Sequence, residues 1–187
     1  LNFPEGIEGI YLTITAAVTD LNARGVSGPT AFLLDDATYP TETFPITIEI
    51  ANEFLPTATN TVTFKPNAGI TTLISGSTAA SSSIFKLNGA DYIIFDGSNS
   101  GSSSRNLTVE NSSTSTSTVV FWLSSLGDGA GASNNTFKNL IIKGGSNSVT
   151  STYGIYAAGT TISTTGTGGD NDNLTIQNNE LLKSYRA

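Results

Sequence analysis

Short apolar runs separated by Gly, Ser and Asn fill the chain from residue 30 onward. They are rich in Ile, Val, Leu, Phe and Thr, which is typical of β-strands joined by tight turns. The runs are TAFLL (30–34), ITIEI (46–50), TVTFK (61–65), TTLIS (71–75), IFKL (84–87), YIIF (92–95), NLTV (106–109), VVFWL (119–123), NLII (139–142), YGIYA (153–157) and NLTI (173–176). The pattern predicts a chain built almost wholly of short strands.

One segment near the start follows a helical period instead. Ile14, Ala17, Val18 and Leu21 fall at i, i+3, i+4 and i+7, which places them on one face of a helix. Gly25 then stands where a helix commonly ends in the left-handed conformation. The pattern predicts an amphipathic helix over residues 13–24, and this helix is the candidate to cover the strand edges of the first coil.

A six-residue pattern recurs along the strand-rich part of the chain. The copies are NLTVEN (106–111), NLIIKG (139–144) and NLTIQN (173–178). Their leucines are spaced by 33 and 34 residues, and one further step of 34 back leads to a leucine in TLISGS. A fixed period of this size is the signature of a stacked-repeat fold. Three strands per period fit a parallel β-helix better than a sandwich.

Stacking one coil on the next turns the period into columns of side chains about 4.8 Å apart. The predicted inward leucine column contains Leu73, Leu107, Leu140 and Leu174. A second inward column contains Phe85, Phe121 and Ile155, and Ile94 is assigned to a third wall. We also predict asparagine stacks at the corners, with Asn106, Asn139 and Asn173 before the leucines and Asn111 and Asn178 after them. Stacked asparagines bond along the axis and tolerate left-handed backbone.

The fold predicted from these patterns is all-β, a right-handed parallel β-helix of about 34 residues per coil and four to five coils. Residues 1–29 are expected to form an N-terminal segment with a capping helix. Residues 30–187 are expected to form the coils, which we expect to continue in a longer parent protein.

Composition excludes several classes of function. The chain of 187 residues has no Cys and no His, so thiolate chemistry and the commonest general base are missing. Its net charge of -7, with a pI near 4.3, argues against nucleic-acid or anionic membrane partners. The sequence also lacks an apolar stretch of the roughly 18 to 20 residues needed to cross a bilayer. We therefore expect neither nucleic-acid binding nor membrane insertion.

Carboxylates are the remaining candidates for catalysis or metal binding. Asp170 and Asp172 in the Gly-rich segment TGTGGDNDN form the candidate calcium site, the one cofactor considered. No acidic pair recurs at the coil period, as a polysaccharide-cleaving site on successive coils would require. Adjacent aspartates in such loops are more often solvated turn residues, so the sequence favours a non-enzymatic module.

An outward column is the candidate contact surface for a glycan or a protein partner. If Phe121 points inward, strand alternation turns Trp122 outward, and the same phase turns Lys86 and Tyr156 outward. Exposed aromatic rings beside a cation suit the apolar faces of sugars. The alternative is that a long loop, such as LGDGAGASNN (126–135), folds back and covers Trp122.

The order of several motifs carries a family resemblance. They are DLNARGVSGPTAFLL (20–34), TVTFKPNAG (61–69), FKLNGADYIIFDG (85–97) and NLTVEN (106–111). In this order they resemble the right-handed parallel β-helix modules of large secreted and cell-surface proteins of gliding, Bacteroidota-type bacteria. The resemblance implies an adhesin-like module, exported by the type IX route and placed at the cell surface, where it contacts polysaccharide or another surface protein. A polysaccharide-binding or polysaccharide-cleaving β-helix is the alternative.

Overall fold

A computed structural model describes residues 9–51, 53–149, 151–163, 165 and 168–186. Within these ranges one helix precedes 13 strands. The elements are α1 (Ile14–Arg24), β1 (Thr30–Leu34), β2 (Ile46–Ile48), β3 (Val62–Pro66), β4 (Thr72–Gly76), β5 (Ser83–Asn88), β6 (Ile93–Asp96), β7 (Leu107–Asn111), β8 (Thr118–Ser124), β9 (Thr136–Lys138), β10 (Leu140–Ser146), β11 (Thr152–Ala158), β12 (Thr175–Gln177) and β13 (Glu180–Ser184). Residues 1–8 of the predicted N-terminal segment lie outside the described residues.

The strands form three parallel sheets that wind around one axis. The first sheet has the order β1-β3-β6-β9-β12, the second β4-β7-β10-β13 and the third β2-β5-β8-β11. Each strand pairs with the strand about one coil later, and the coils contain about 35 residues. The predicted fold class is therefore confirmed as a parallel β-solenoid of about four turns with one N-terminal helix. Within the described ranges, the helix is too short to cross a membrane.

Helix α1 lies where the sequence predicts it, and it buries the predicted face. Ile14, Ala17, Val18 and Leu21 are its buried residues. The hydroxyl of Thr13 accepts a hydrogen bond from a backbone N–H of the first turn, so it acts as an N-cap. These four apolar side chains join the core of the coils, which means that α1 covers the N-terminal end of the solenoid.

Two polar side chains attach this helix to the first coil. The Glu42 carboxylate accepts hydrogen bonds from the first two backbone N–H groups of α1, at 2.6 and 2.7 Å. The Asn22 amide donates to the Thr47 carbonyl at 2.8 Å and accepts from the Glu49 N–H at 2.9 Å. Asn22 therefore pairs with the outer edge of β2 much as a further strand would.

A continuous stack of phenylalanines fills the interior. In the first sheet the column is Phe32, Phe64, Phe95 and Phe137, with successive ring centroids 4.8, 5.1 and 5.6 Å apart. The predicted column of Phe85, Phe121 and Ile155 is confirmed in the third sheet. Phe95 lies 4.8 Å from Phe85 and 4.9 Å from Phe121, so the two columns interlock. Ile94 lies in the first sheet as the third wall, and it is half-buried on the outer side.

The predicted leucine column is wrong at Leu73. Leu107 and Leu140 are paired and fully buried, as expected. Leu107 pairs with Thr72, however, which places Leu73 beside the next residue of β7 and turns it outward. Ile74 is the inward aliphatic residue of this strand. The step between these two coils is one residue longer than the period used for the extrapolation, and one residue reverses the face of a strand.

The leucine column is also wrong at Leu174. This residue precedes β12, which belongs to the first sheet and pairs with β9. The position that follows Leu140 in its column is taken by Asn179, 39 residues later, whose side-chain oxygen accepts from the Leu140 N–H at 2.9 Å. NLTVEN and NLTIQN therefore lie on different walls despite their similar letters, because the step that follows Leu140 is 39 residues and not the 34 used for the extrapolation.

A matched pair of substitutions tests this register. Leu140→Ala removes a fully buried side chain with a neighbour on each side, so we expect a loss of about 2 to 5 kcal/mol of unfolding free energy. Leu73→Ala removes the same atoms from a half-buried outer position, and we expect a loss of about 1 kcal/mol or less. Denaturant unfolding measures both. Equal losses would contradict the register.

Candidate functional site

The outward column predicted from the sequence is present in the third sheet. Lys86 pairs with Trp122, and Trp122 pairs with Tyr156, on the face opposite the interior phenylalanines. The Lys86 ammonium lies 4.5 Å from the centre of the Trp122 ring. Only 6% of Trp122 is exposed, however. The column exists, but its largest ring does not form an open platform.

A short segment after β11 covers Trp122. The indole N–H donates to the Gly159 carbonyl at 3.2 Å. The Tyr156 hydroxyl donates to the Ser163 carbonyl at 2.6 Å and accepts from the Ser163 N–H at 2.8 Å. Residues 159–163 therefore fold back over the outer face of the third sheet. The expected alternative, a loop that folds back over Trp122, is therefore confirmed, although the loop is residues 159–163 and not the example of residues 126–135.

The covered residues form a small apolar cluster that is separate from the main core. This outer cluster contains Val119, Trp122 and Tyr153, with Tyr156 and Ile162 packed against it. Small clusters of this kind commonly lie beneath long loops. Tyr153 could not be predicted as a member of this cluster, because strict alternation from Ile155 would turn it inward. Two consecutive inward residues in β8, Val120 and Phe121, interrupt that alternation here.

The ammonium group of Lys86 is partly buried and therefore partly desolvated. Burial lowers the pKa of its ammonium, and the nearby Glu49 carboxylate partly opposes this shift. The negative face of an indole ring attracts a cation, which compensates for part of the lost hydration. Lys86 thus occupies one face of Trp122 and leaves that face unavailable for a sugar ring.

Asp170 and Asp172 hold two loops together in this structure. The Asp170 carboxylate accepts from the Gly129 N–H, and its backbone carbonyl accepts from the Ser133 hydroxyl. The Asp172 carbonyl accepts from the Asn134 N–H at 2.8 Å. No group of three or more Asp, Glu, His or Cys residues suited to a metal ion occurs in the part of the chain that the structure describes. Calcium at Asp170 and Asp172 stays a prediction.

A polar column at one corner was only partly predicted. The Asn139 amide donates to the Asp96 carboxylate at 2.8 Å, and the Asn178 amide donates to the Asn139 oxygen, also at 2.8 Å. Both asparagines have left-handed backbone, with φ of 58° and 52°. The same position one coil earlier is Gly97, where a Cβ would lie 1.9 Å from the Asn139 carbonyl oxygen. Stacked asparagines at a corner are confirmed, but their partners differ from those predicted.

The predicted partners of Asn173 and Asn111 are wrong, whereas Asn106 and Asn139 do stand before the paired Leu107 and Leu140. Asn173 donates to Asn134 at 3.1 Å, and Asn106 donates to the Thr71 hydroxyl at 3.2 Å. Asn111 is buried at a separate corner, so it does not stack with Asn178. The letter pattern is the same in each case, but the coil lengths differ. Matching letters at a nominal period therefore assigned Asn173 and Asn178 to the wrong corners.

A serine-rich loop runs along this polar column and crosses two coils. The Arg105 guanidinium donates to the backbone carbonyl of Asn178 at 2.8 Å and to its side-chain oxygen at 2.9 Å. The Asn178 amide donates back to the Ser103 carbonyl at 2.9 Å. These partners are 73 residues or more apart in sequence. Residues 97–105 read as an ordinary polar loop, and nothing in the sequence indicates this contact.

Two aspartates near the corners have opposite pKa shifts. Burial alone would raise the pKa of Asp96, but hydrogen bonds from Asn139, Ser98 and Lys138 together hold it below the usual value. Burial raises the pKa of Asp91, and a single bond from the Ser133 N–H opposes this only in part. The folded state therefore favours the ionised form of Asp96 and disfavours that of Asp91.

Comparison with protein-family models, curated proteins and solved structures yields no significant match. The functional argument for this chain therefore rests on its own geometry.

The cover over Trp122 can be tested by fluorescence. The chain has a single Trp, so its emission reports this one site. We expect blue-shifted emission and weak quenching by acrylamide, because residues 159–163 shield the ring. Tyr156→Phe removes both hydrogen bonds to Ser163 and should increase quenching without unfolding the chain. Strong quenching in the unmodified protein would contradict the covered site.

The two aspartates predict opposite changes in acid stability. The pKa of Asp96 is lower in the folded protein than its ordinary value of 3.8, so its ionised carboxylate stabilises the fold at a pH above that value. This stability is lost as the pH falls through the pKa of the folded state. Asp96→Asn should therefore reduce the loss of stability between about pH 7 and pH 3. A raised folded pKa has the reverse sign, so Asp91→Asn should increase the loss. Denaturant unfolding at each pH measures both, and equal slopes would contradict the assignment.

Proposed function

We propose that the chain is a non-enzymatic structural module of a secreted bacterial cell-surface protein, in which it serves as a rigid spacer. The observation that carries this proposal is the continuous stack of phenylalanines through the coils. A column packed in this way resists bending, because tilting one coil separates rings on its neighbours. Each coil adds about 4.8 Å of length along the axis.

The surface chemistry supports an extracellular role. Ser, Thr and Asn dominate the polar positions, and only 12% of the residues are charged. Uncharged side chains bond to one another along the axis, as the Asn178 amide does to the Asn139 oxygen at 2.8 Å. Export by the type IX route and display on a gliding bacterium are part of this proposal, as implied by the family resemblance.

The placement of the carboxylates supports a non-enzymatic role. Asp96 is bonded to Asn139 and Lys138, and Asp91 accepts from the Ser133 N–H at 2.6 Å. Each of these acids therefore has a structural partner. Polysaccharide cleavage needs two carboxyl groups facing one substrate, so it remains the weaker alternative for this chain.

Glycan binding is the second candidate function, and the outward aromatic column favours it. Lys86, Trp122 and Tyr156 lie one coil apart along a single face, which is the spacing that successive sugars of an extended chain would meet. Because the outer cluster is covered, binding requires residues 159–163 to move away. The partner would then be an extracellular polysaccharide or another surface protein, with calcium at Asp170 and Asp172 as a further candidate ligand.

A polysaccharide panel separates these functions. The spacer proposal expects no retention of the chain and no new reducing ends in any of the polysaccharides. Tyr156→Phe, which loosens the cover, serves as the matched variant. Retention of both proteins, or of the variant alone, would favour glycan binding over the spacer, while new reducing ends would establish the cleaving alternative.

Location is tested independently of binding. An antibody raised against the chain should label intact cells of the organism that produces it, without permeabilisation. Labelling that appears only after permeabilisation would overturn the surface assignment.

A further inference from the structure

The three strand edges at the N-terminal end of the solenoid differ in their hydrogen-bond partners. The Asn22 side chain pairs with the edge of β2. Residues 37 and 38 pair with the edge of β4, where the Leu73 N–H donates to the Ala37 carbonyl at 2.9 Å. Strand β1 pairs with β3 on one side, and within the described ranges no strand pairs with its other side. Two edges are capped, and the third carries no further strand among the described residues.

The open edge presents an ordered row of backbone groups. The Thr30 N–H donates to the Thr61 carbonyl, and the Leu34 carbonyl accepts from the Asn67 N–H, both at 2.9 Å. Alternate residues of a parallel strand bond to opposite neighbours. The N–H and carbonyl groups of Ala31 and Leu33 therefore face away from β3. Both residues are exposed, and Leu33 is 49% exposed.

A groove of about 740 Å³ runs along this edge. One wall is β1 and the other is formed by residues 9–13 and the first turn of α1. Its lining combines apolar side chains with polar groups, and it includes Phe32, the first ring of the phenylalanine column. Ile10 and Leu12 on the opposite wall are 91% and 89% exposed. The volume is within the range of ordinary ligand sites.

The two ends of the groove differ in charge. Asp35 and Asp36 line the end toward which β1 runs, and both are exposed. One oxygen of Asp35 accepts from the Asn67 amide at 2.6 Å, so this pair keeps further oxygens available. The lining contains no Lys or Arg. The groove therefore suits an occupant that is apolar along its length and cationic at one end.

We propose that the open edge of β1 binds an extended peptide segment of another protein, which adds to the first sheet as a parallel strand. Its backbone pairs with Ala31 and Leu33, an apolar side chain covers Phe32, and a Lys or Arg at its C-terminal end lies near Asp35 and Asp36. This binding mode is strand addition to an exposed sheet edge. It goes beyond the spacer role, because it gives the module a point of attachment.

The chain itself contains a segment with the required pattern. TVTFK (61–65) has apolar residues at alternate positions followed by Lys65. As part of β3, this segment already pairs in parallel with the inner edge of β1. An acetylated peptide of this sequence is therefore a suitable probe. The peptide KTVTF has the same composition with the cation at the opposite end, which makes it the matched control for direction.

Amide hydrogen exchange on the whole chain tests the pairing. The Ala31 and Leu33 amides should exchange rapidly in the free protein and slow down when TVTFK is added. Ala31→Pro removes one edge donor at a position where an edge strand tolerates proline, and it should weaken binding by about two- to tenfold. Ala31→Ser keeps the donor and should bind normally. Slow exchange of both amides in the free protein would overturn the proposal, since the edge would already be paired by the chain itself or by a second copy.

Charge variants test the occupant independently of the edge donor. Asp36→Asn should weaken TVTFK binding by about two- to fivefold, which is the effect of one exposed charge pair. Asp128→Asn changes the same charge at an exposed position elsewhere and should have no effect. KTVTF should bind more weakly than TVTFK to the unmodified protein. Equal binding of the two peptides, or protection of neither amide by TVTFK, would overturn the proposal even if Ala31→Pro does not fold.

Discussion

Contact between stacked aromatic rings along the solenoid axis is the constraint on which the rest of the structure depends. Phe95 contacts Phe64 and Phe137 in its own column and Phe85 and Phe121 across the interior. Rings in two interlocked columns cannot slip along a strand without breaking several contacts, and a slip of one residue would send them to the outside. The stack therefore fixes the register of the first and third sheets together, and with it the side chains that lie on their outer faces.

Coils differ in length, and the extra residues lie in the corners and loops because the packed interior keeps the strands in a fixed register. Asn139 and Asn178 adopt left-handed backbone and bond along the axis, although 39 residues separate them. The loop of residues 97–105 reaches the same corner through Arg105, and residues 159–163 lie against the third sheet. Long insertions leave the strands unchanged because loops at a corner extend outward from the stack. The surface of this module is consequently set by loops, while the strands determine where those loops start and end.

The N-terminal end combines a closed interior with one edge, that of β1, on which the described part of the chain places no further strand. Helix α1 buries Ile14, Val18 and Leu21 against the first coil, and Glu42 and Asn22 hold it there. A second solenoid cannot stack its interior directly on this end, because the helix occupies that space. An open edge beside a covered interior admits a single extended strand and excludes a whole coil. The proposed spacer, if bound to a partner through this edge, would gain a specific contact without polymerising end to end.

The sequence by itself determined the strand-rich composition, the capping helix, the column of Phe85, Phe121 and Ile155, and the outward phase of Trp122. These features depend on local alternation or on one short step between coils, and side-chain periodicity carries both. Only the tertiary structure decided that Leu174 lies on a different wall from Leu140, and that residues 159–163 cover Trp122. Both depend on the path of the chain through corners and loops, whose lengths vary and whose contacts join residues far apart in sequence. The alternation of apolar and polar residues indicates which face of a strand is buried. The position at which the next strand begins depends on how the intervening loop packs.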